Sequence, residues 1–185
     1  MKIVSISNND PTIENLTQEL IDIDRQCLGD LDMADEGDLD YWTANRKSTF
    51  AAALYDGSKI VGYIDLIALS NNGVRQLKSG DWHDGKIDQI FIADLSSHST
   101  ALYLIAVAIL PKYRRQGWAK KLWNYSAEQF SKNGYSIRDI YAVTWTPNGF
   151  GFLKSFRPEI IGRDSAGHPI IRIKTLNGKM PIANL

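Results

Sequence analysis

Residues 2–7 alternate polar and apolar side chains, the two-residue period of a half-buried strand. Asp10-Pro11 then supplies a helix N-cap and a proline suited to the first helical position. Ile13, Leu16, Leu20, Ile23 and Cys27 recur at helical spacing, which predicts a helix over 11–28. Leu39, Trp42 and Arg46 mark a second helix within 36–47. Strands follow over 50–55 and 60–69, joined by an Asp56-Gly57 turn. Residues 70–86 are polar, with a short helix expected near 74–78, and 87–93 reads as a further strand. After a polar turn, 102–110 is the most strongly apolar strand of the chain. Pro111 ends it. A helix is expected from about 117 to 132, with Ala119, Leu122, Trp123, Ser126 and Phe130 on its inner face and Asn133-Gly134 as its stop. A strand over 140–145, a short helix over 148–156 bounded by Pro158, and closing strands over 159–161 and 170–174 complete the pattern.

The order of elements is that of a mixed α/β (α+β) fold. Helices follow the strands ending near 110 and 145, so those two strands are expected to be parallel neighbours. The crevice at their carboxyl ends is then the default ligand site. The 185 residues are 44% apolar and 23% charged, and we read 1–185 as a single globular domain. No apolar run approaches the ~20 residues of a membrane helix, and the amino-terminal residues lack the apolar core of a signal peptide. Cys27 is the only cysteine, which excludes an internal disulfide and a thiolate-rich zinc site. His83, His98 and His168 make no metal spacing, so no metal is expected. A cytoplasmic protein is the expectation.

Charge changes the picture only when it is mapped. Twenty-one bases balance twenty-one acids, yet residues 1–40 hold eleven acids against two bases. The basic pole peaks where the strong strand ends. Lys112, Arg114, Arg115, Lys120 and Lys121 fall within ten residues that contain no acid. A buried strand that stops at proline, turns through cations and enters a helix at Gly117 builds an anion site. The first helical turn has amides without intrahelical partners, and the helix dipole favours negative charge there. Neither the Walker pattern nor Gly-x-Gly-x-x-Gly is present, and the composition suits a diphosphate.

Arg114-x-x-Gly117-x-Ala119, preceded by Val107-x-Ile109-x-Pro111 and Tyr113, resembles the acetyl-CoA-binding motif of the GNAT superfamily of acyl-CoA-dependent N-acyltransferases. The resemblance runs from about residue 2 to 175, with 70–100 longer than the family's minimal hairpin. It implies a central, mostly antiparallel sheet flanked by helices, opened by a V-shaped crevice for acyl-CoA. It implies that Arg114, Arg115, Gln116, Gly117, Trp118, Ala119 and Lys120 hold the pyrophosphate. Val107, Ala108 and Ile109 would lie along the pantetheine arm and polarise the thioester carbonyl. Asn148, after Thr146-Pro147, would contact the same arm. Acetyl-CoA is the implied co-substrate, a primary amine the acceptor, and dimers are common in the family.

The chain departs from the family in its acid–base groups. The family commonly places a carboxylate on the strand before the CoA loop or on the strand after the following helix. Residues 101–110 and 141–145 contain none. The customary tyrosine of the short last helix is also missing, its place falling on Leu153 or Ser155. Tyr103 and Ser155 are the catalytic candidates, with Asp65, Asp88 and Asp94 as further options. Six acids between Asp30 and Asp40 would attract a cationic amine, and a small-molecule or peptide amine is the expected partner. Two other functions compete with this one. The first is an acyl-CoA-binding module without turnover. The second is an RNA-directed acetyltransferase, ranked last because the cations cluster at the CoA loop and the acidic pole repels phosphate. Cys27, on an apolar helical face, reads as a structural thiol.

Overall fold

A computed structural model describes residues 1–6, 13–28, 47–82, 87–95 and 99–184, and the side chains of helix 13–28 from residue 18 onward. The elements are β1 (Lys2–Ser5), α1 (Ile13–Leu28), β2 (Thr49–Asp56), β3 (Lys59–Leu69), α2 (Asn71–Ser79), β4 (Thr100–Ile109), α3 (Trp118–Lys132), β5 (Ile137–Val143), α4 (Pro147–Leu153), β6 (Glu159–Arg163) and β7 (Pro169–Lys174). The strands form one seven-stranded sheet in the order β1-β2-β3-β4-β5-β7-β6. Every neighbouring pair is antiparallel except β4 and β5, which are parallel, as expected from the helix between them. The fold is therefore the mixed α/β arrangement that the sequence pattern implied, with the mostly antiparallel sheet that the family resemblance implied.

Side chains alternate across β4 into two apolar layers. Leu102 and Leu104 join the larger cluster, with Leu122, Trp123 and Phe130 of α3. Ala101 and Tyr103 join the smaller one, with Val74 and Leu77 of α2 and with Trp82. Residues of α2, with Trp82, Phe91 and Ile92, thus cover this face of the sheet. Ser70 caps α2 by accepting from the Gly73 amide, and Gly80 closes the helix in the left-handed conformation.

Two expectations are corrected. Residues 87–93 do not form a strand: Asp88 caps a single 3-10 turn, Gln89–Phe91, and Ile92 makes only an isolated bridge to Leu69. The strand expected over 140–145 begins and ends earlier, at Ile137–Val143. Its polar start, Arg138 and Asp139, is admitted because Asp139 is buried against Arg172 of β7 at 2.9 Å. The second helix expected within 36–47, and the acidic run from Asp30 to Asp40, lie outside the described residues.

Two features of β4 position the site. Its pairing with β5 runs only from Thr100↔Ile137 to Tyr103↔Tyr141. On the other edge, Asp65 of β3 pairs with Ala106 and Leu66 with Leu104, leaving Ile105 as a bulged extra residue. Beyond the last β5 pair, Ile105, Ala106 and Val107 are half-buried, between buried Thr100–Leu104 and buried Ala108–Leu110. The sheet has a window at this point. Gly62 lets β3 stay tight beside it, since a Cβ there would lie 2.7 Å from the Ala108 carbonyl oxygen.

Candidate active site

β4 leads through a 3-10 turn, Pro111–Tyr113, into a loop and then α3. Arg115 (φ 62°) and Gly117 (φ 79°) both adopt the left-handed conformation, which turns successive amides inward as in an anion nest. Gly117 is the N-cap and offers no side-chain cap, so the amides of Trp118, Ala119 and Lys120 have no intrahelical acceptor. A Cβ added at Gly117 would meet nothing within 4 Å, so the approach to these amides is open. Side chains stiffen the loop. Gln116 donates from Nε2 to the Lys112 carbonyl at 3.2 Å, and Trp118 donates from Nε1 to Gln116 Oε1 at 3.3 Å. Lys121 lies 4.0 Å above the Trp118 ring, a cation–π contact that holds one positive charge at the first turn.

The loop is anchored at both ends. Arg114 Nε donates to the Ile109 carbonyl at 2.8 Å, and the Cys27 thiol of α1 donates to the same oxygen at 3.4 Å. Burial pushes the Cys27 thiol up, against the hydrogen bond and charge of Arg114, so the sulfur stays protonated and structural. Tyr113 donates its hydroxyl to Asp56 Oδ2 at 2.9 Å, tying the loop to the β2–β3 turn. Tyr113→Phe should leave folding stability within about 1 kcal/mol, since the bond is exposed. It should weaken acetyl-CoA binding several-fold, a difference that titration calorimetry resolves.

The expected binding residues lie on β4, in this loop, in the first turn of α3 and on α4. Val107 is half-buried at the window, Ala108 and Ile109 are buried, and Arg115, Gln116 and Gly117 are exposed. Asn148 is exposed in the first turn of α4, whose N-cap Thr146 accepts from the Gly149 amide at 3.0 Å. The two catalytic candidates sit elsewhere. Tyr103 is 0% exposed, with its ring 4.9 Å from Trp82 in the smaller apolar layer. Ser155 lies on an exposed 3-10 turn and donates its hydroxyl to the Phe152 carbonyl at 2.8 Å. Asp88 is taken up in capping its turn, and Asp94 is exposed.

Two acid–base groupings emerge among the described residues, the first beside the window. Tyr63 of β3 donates to Asp24 Oδ2 of α1 at 2.5 Å, and Asp65, two residues along β3, is 1% exposed. Asp65 Oδ1 has no hydrogen-bond partner among the described residues. Burial, then the charge of Asp24, holds the Asp65 carboxyl well above the ordinary carboxylate range, against one hydrogen bond from the Leu66 amide. Burial and Asp24 likewise raise the Tyr63 phenol. The sequence signal for this group is a lone acid in the apolar run 60–69, and Asp24 on the same helical stripe as Leu20, Ile23 and Cys27.

The second grouping closes the β6–β7 hairpin. Asp164 accepts from the Ala166 and His168 amides at 3.0 and 2.7 Å and faces His168 Nδ1 at 2.9 Å. The His168 ring lies 6.2 Å from Trp145, just past β5. Burial works to raise Asp164, but the His168 ring and backbone bonds, the His168 charge and the Ala166 amide outweigh it and hold the carboxyl below its usual value. A depressed folded value adds stability that is present above the unfolded carboxylate value. That stability is lost as pH falls through the folded one. Asp164→Asn should therefore lower stability at neutral pH and flatten the acid limb of a denaturation-against-pH curve. The spacing of His83, His98 and His168 does not disclose this pair, although an Asp four residues before His across a glycine turn is a local signal.

The parallel β4–β5 pairing thus ends beside an uncapped, cation-flanked helix start. The family model of the acetyltransferase (GNAT) family matches residues 14–149, and the chain belongs to that family. Solved structures agree in fold. The PaiA N-acetyltransferase from Thermoplasma acidophilum, in complex with coenzyme A, is 14% identical with a TM-score of 0.56, covering 95% of this chain and 100% of its own. An aminoglycoside 6'-N-acetyltransferase complexed with coenzyme A is 15% identical with a TM-score of 0.60, each chain covered in full. A GNAT acetyltransferase from Brucella melitensis, in complex with acetyl-CoA, is 12% identical with a TM-score of 0.55, covering 99% and 94%. No curated protein matches the sequence. Among the described residues no helix is long and apolar enough to cross a membrane, and no three potential metal ligands gather.

Proposed function

We propose that the protein is an acetyl-CoA-dependent N-acetyltransferase acting on a small, positively charged primary amine. The observation that carries this reading is the uncapped start of α3, with left-handed Arg115 and Gly117, fed by the strand that leaves β5 at Tyr103. The fit to a CoA diphosphate is chemical: free amides, an open glycine, and Arg115, Lys120 and Lys121 nearby. Bound there, acetyl-CoA supplies the acetyl group as an activated thioester. The half-buried stretch Ile105–Val107 is the part of β4 left for the pantetheine arm, with exposed Asn148 in the first turn of α4 as the side chain to contact that arm. The window limits water around the reacting groups, which strengthens backbone N–H donors toward a developing negative oxygen. Neighbours named for aminoglycosides support a small amine acceptor. A cytoplasmic location and a homodimer accompany this reading.

The first test is thermal unfolding with acetyl-CoA, CoA, dephospho-CoA and ATP in parallel. Ligand at ~100 times its dissociation constant adds roughly 2.7 kcal/mol of apparent stability. The expected result is a shift with acetyl-CoA and CoA and none with ATP. No shift with any CoA species would reduce the family membership to a shared fold. The second reading, an acyl-CoA-binding module, is favoured by the burial of Tyr103 and the tied hydroxyl of Ser155. Single-turnover transfer to a panel of amines separates the two.

A further inference from the structure

We propose that Asp65 takes the proton from the acceptor's ammonium group, with Asp24 and Tyr63 as the positioning pair that sets its charge state. The proposal rests on the acetyl transfer proposed above and assigns to it a residue on β3, where neither β4 nor the carboxyl-terminal end of β5 carries an acid.

Three observations converge. The first is position. Asp65 pairs with Ala106, the middle residue of the half-buried window, directly beside the Ile105 bulge. The proposed acetyl donor lies along this same stretch of β4. The second is the orphaned oxygen. Asp65 is 1% exposed, and its Oδ1 has no partner among the described residues. A buried carboxylate oxygen without a donor is costly, and the cost falls when a cation or a proton is brought against it. An ammonium group supplies both. The third is the flank. Tyr63 donates to Asp24 at 2.5 Å, which fixes negative charge on α1 next to Asp65. The groups facing Asp65 can be named element by element. Among the described residues, Asp24 comes from α1 and Tyr63 from β3 itself, while Cys27 of α1 acts on Tyr63 and Arg114 acts on Cys27. The strand partners Ala51 and Ala106 carry no charge. Among the described residues, Asp24 alone acts on Asp65 by charge, and it acts to raise its proton affinity. A carboxyl closed to water and held above the ordinary range binds a proton more tightly than a surface carboxylate, which is what a base for an ammonium group needs.

The step balances. The ammonium gives one proton to the Asp65 carboxylate, and the freed nitrogen lone pair forms the bond to the acetyl carbon as the C–S bond breaks. A second nitrogen proton ends on the departing sulfur. Asp65 passes its proton to solvent as the product leaves.

The test compares wild type, Asp65→Asn and Asp24→Asn. Asp65→Asn keeps the side-chain shape and should keep the acetyl-CoA thermal shift. It should lose roughly 10²–10⁴-fold in kcat, and its kcat/KM profile should lack the acid limb of the wild type. Asp24→Asn removes the neighbouring charge and should move that limb to lower pH. This variant also carries the test if Asp65→Asn fails to fold. Infrared titration of the ligand-free protein gives a readout independent of turnover. A protonated carboxyl band should persist above the pH where ordinary carboxyls ionise and should vanish in Asp65→Asn. Wild-type kcat and an unchanged acid limb in Asp65→Asn would overturn this inference and leave the proposed function standing. Absence of any acetyl transfer by the wild type, with acetyl-CoA bound, would overturn both.

Discussion

Gly117→Asp should abolish stabilisation by acetyl-CoA while leaving the protein folded. The position is left-handed at φ 79°, so any non-glycine side chain costs roughly 1–2 kcal/mol of backbone strain. Nothing within 4 Å would clash with the new Cβ, which limits the structural damage to that strain. The effect on binding is of another size. A carboxylate at this N-cap would point into the amides of Trp118, Ala119 and Lys120, satisfying the groups proposed to hold the diphosphate. Charge repulsion adds to the competition. The expectation is a loss of at least a hundredfold in affinity, read by titration calorimetry. Gly117→Ala, which has the strain without the charge, should bind several-fold weaker only. Equal losses in the two variants would show that backbone conformation, and not the anion site, governs binding.

Trp123→Ala should destabilise the fold by about 3–5 kcal/mol, the range for a buried tryptophan reduced to alanine. Trp123 of α3 is 0% exposed, with its ring 4.4 Å from Phe156 and 6.0 Å from Phe152. Its indole N–H also donates to the Pro181 carbonyl at 2.7 Å. The neighbouring Asn124 exchanges two bonds with Ala183, at 3.0 and 2.7 Å, so one turn of α3 fastens the chain end. A stability of 5–15 kcal/mol is usual for a domain, so this single change removes a large fraction. Urea unfolding should show a lower midpoint. A smaller loss, near 1 kcal/mol, would mean that Phe152 and Phe156 collapse into the space.

The site loop was legible because each of its signals is local. An apolar strand, a proline, consecutive cations and a helix-opening glycine lie within fifteen residues, and each has one physical meaning. The parallel pairing of β4 and β5 was legible for a related reason, since a helix must carry the chain back between them. What escaped depends on partners distant in sequence. Arg138 and Asp139 look like loop residues until Arg172, 33 positions away from Asp139, pairs with the carboxylate inside the sheet. Residues 87–93 have the apolar content of a strand. Their backbone is instead held by Asp88 and by a single bridge to Leu69, which local periodicity cannot show. Tyr103 sits on the expected strand, but the face it occupies is covered by Trp82, from an insert whose packing the sequence does not disclose. The Asp24–Tyr63 contact spans 39 residues and two element types.

The Ile109 carbonyl receives both the Arg114 guanidinium and the Cys27 thiol. One oxygen thereby joins the diphosphate loop to α1, the helix that also carries Asp24. A ligand that draws Arg114 outward is expected to shift the balance of that shared bond, and with it the seating of α1. Linkage is reciprocal: whatever the donor does to the affinity for the amine, the amine does equally to the affinity for the donor. The two substrates of a bisubstrate reaction are thus expected to report on each other through a single backbone atom. Cys27→Ala should weaken that communication while leaving each binary affinity nearly unchanged.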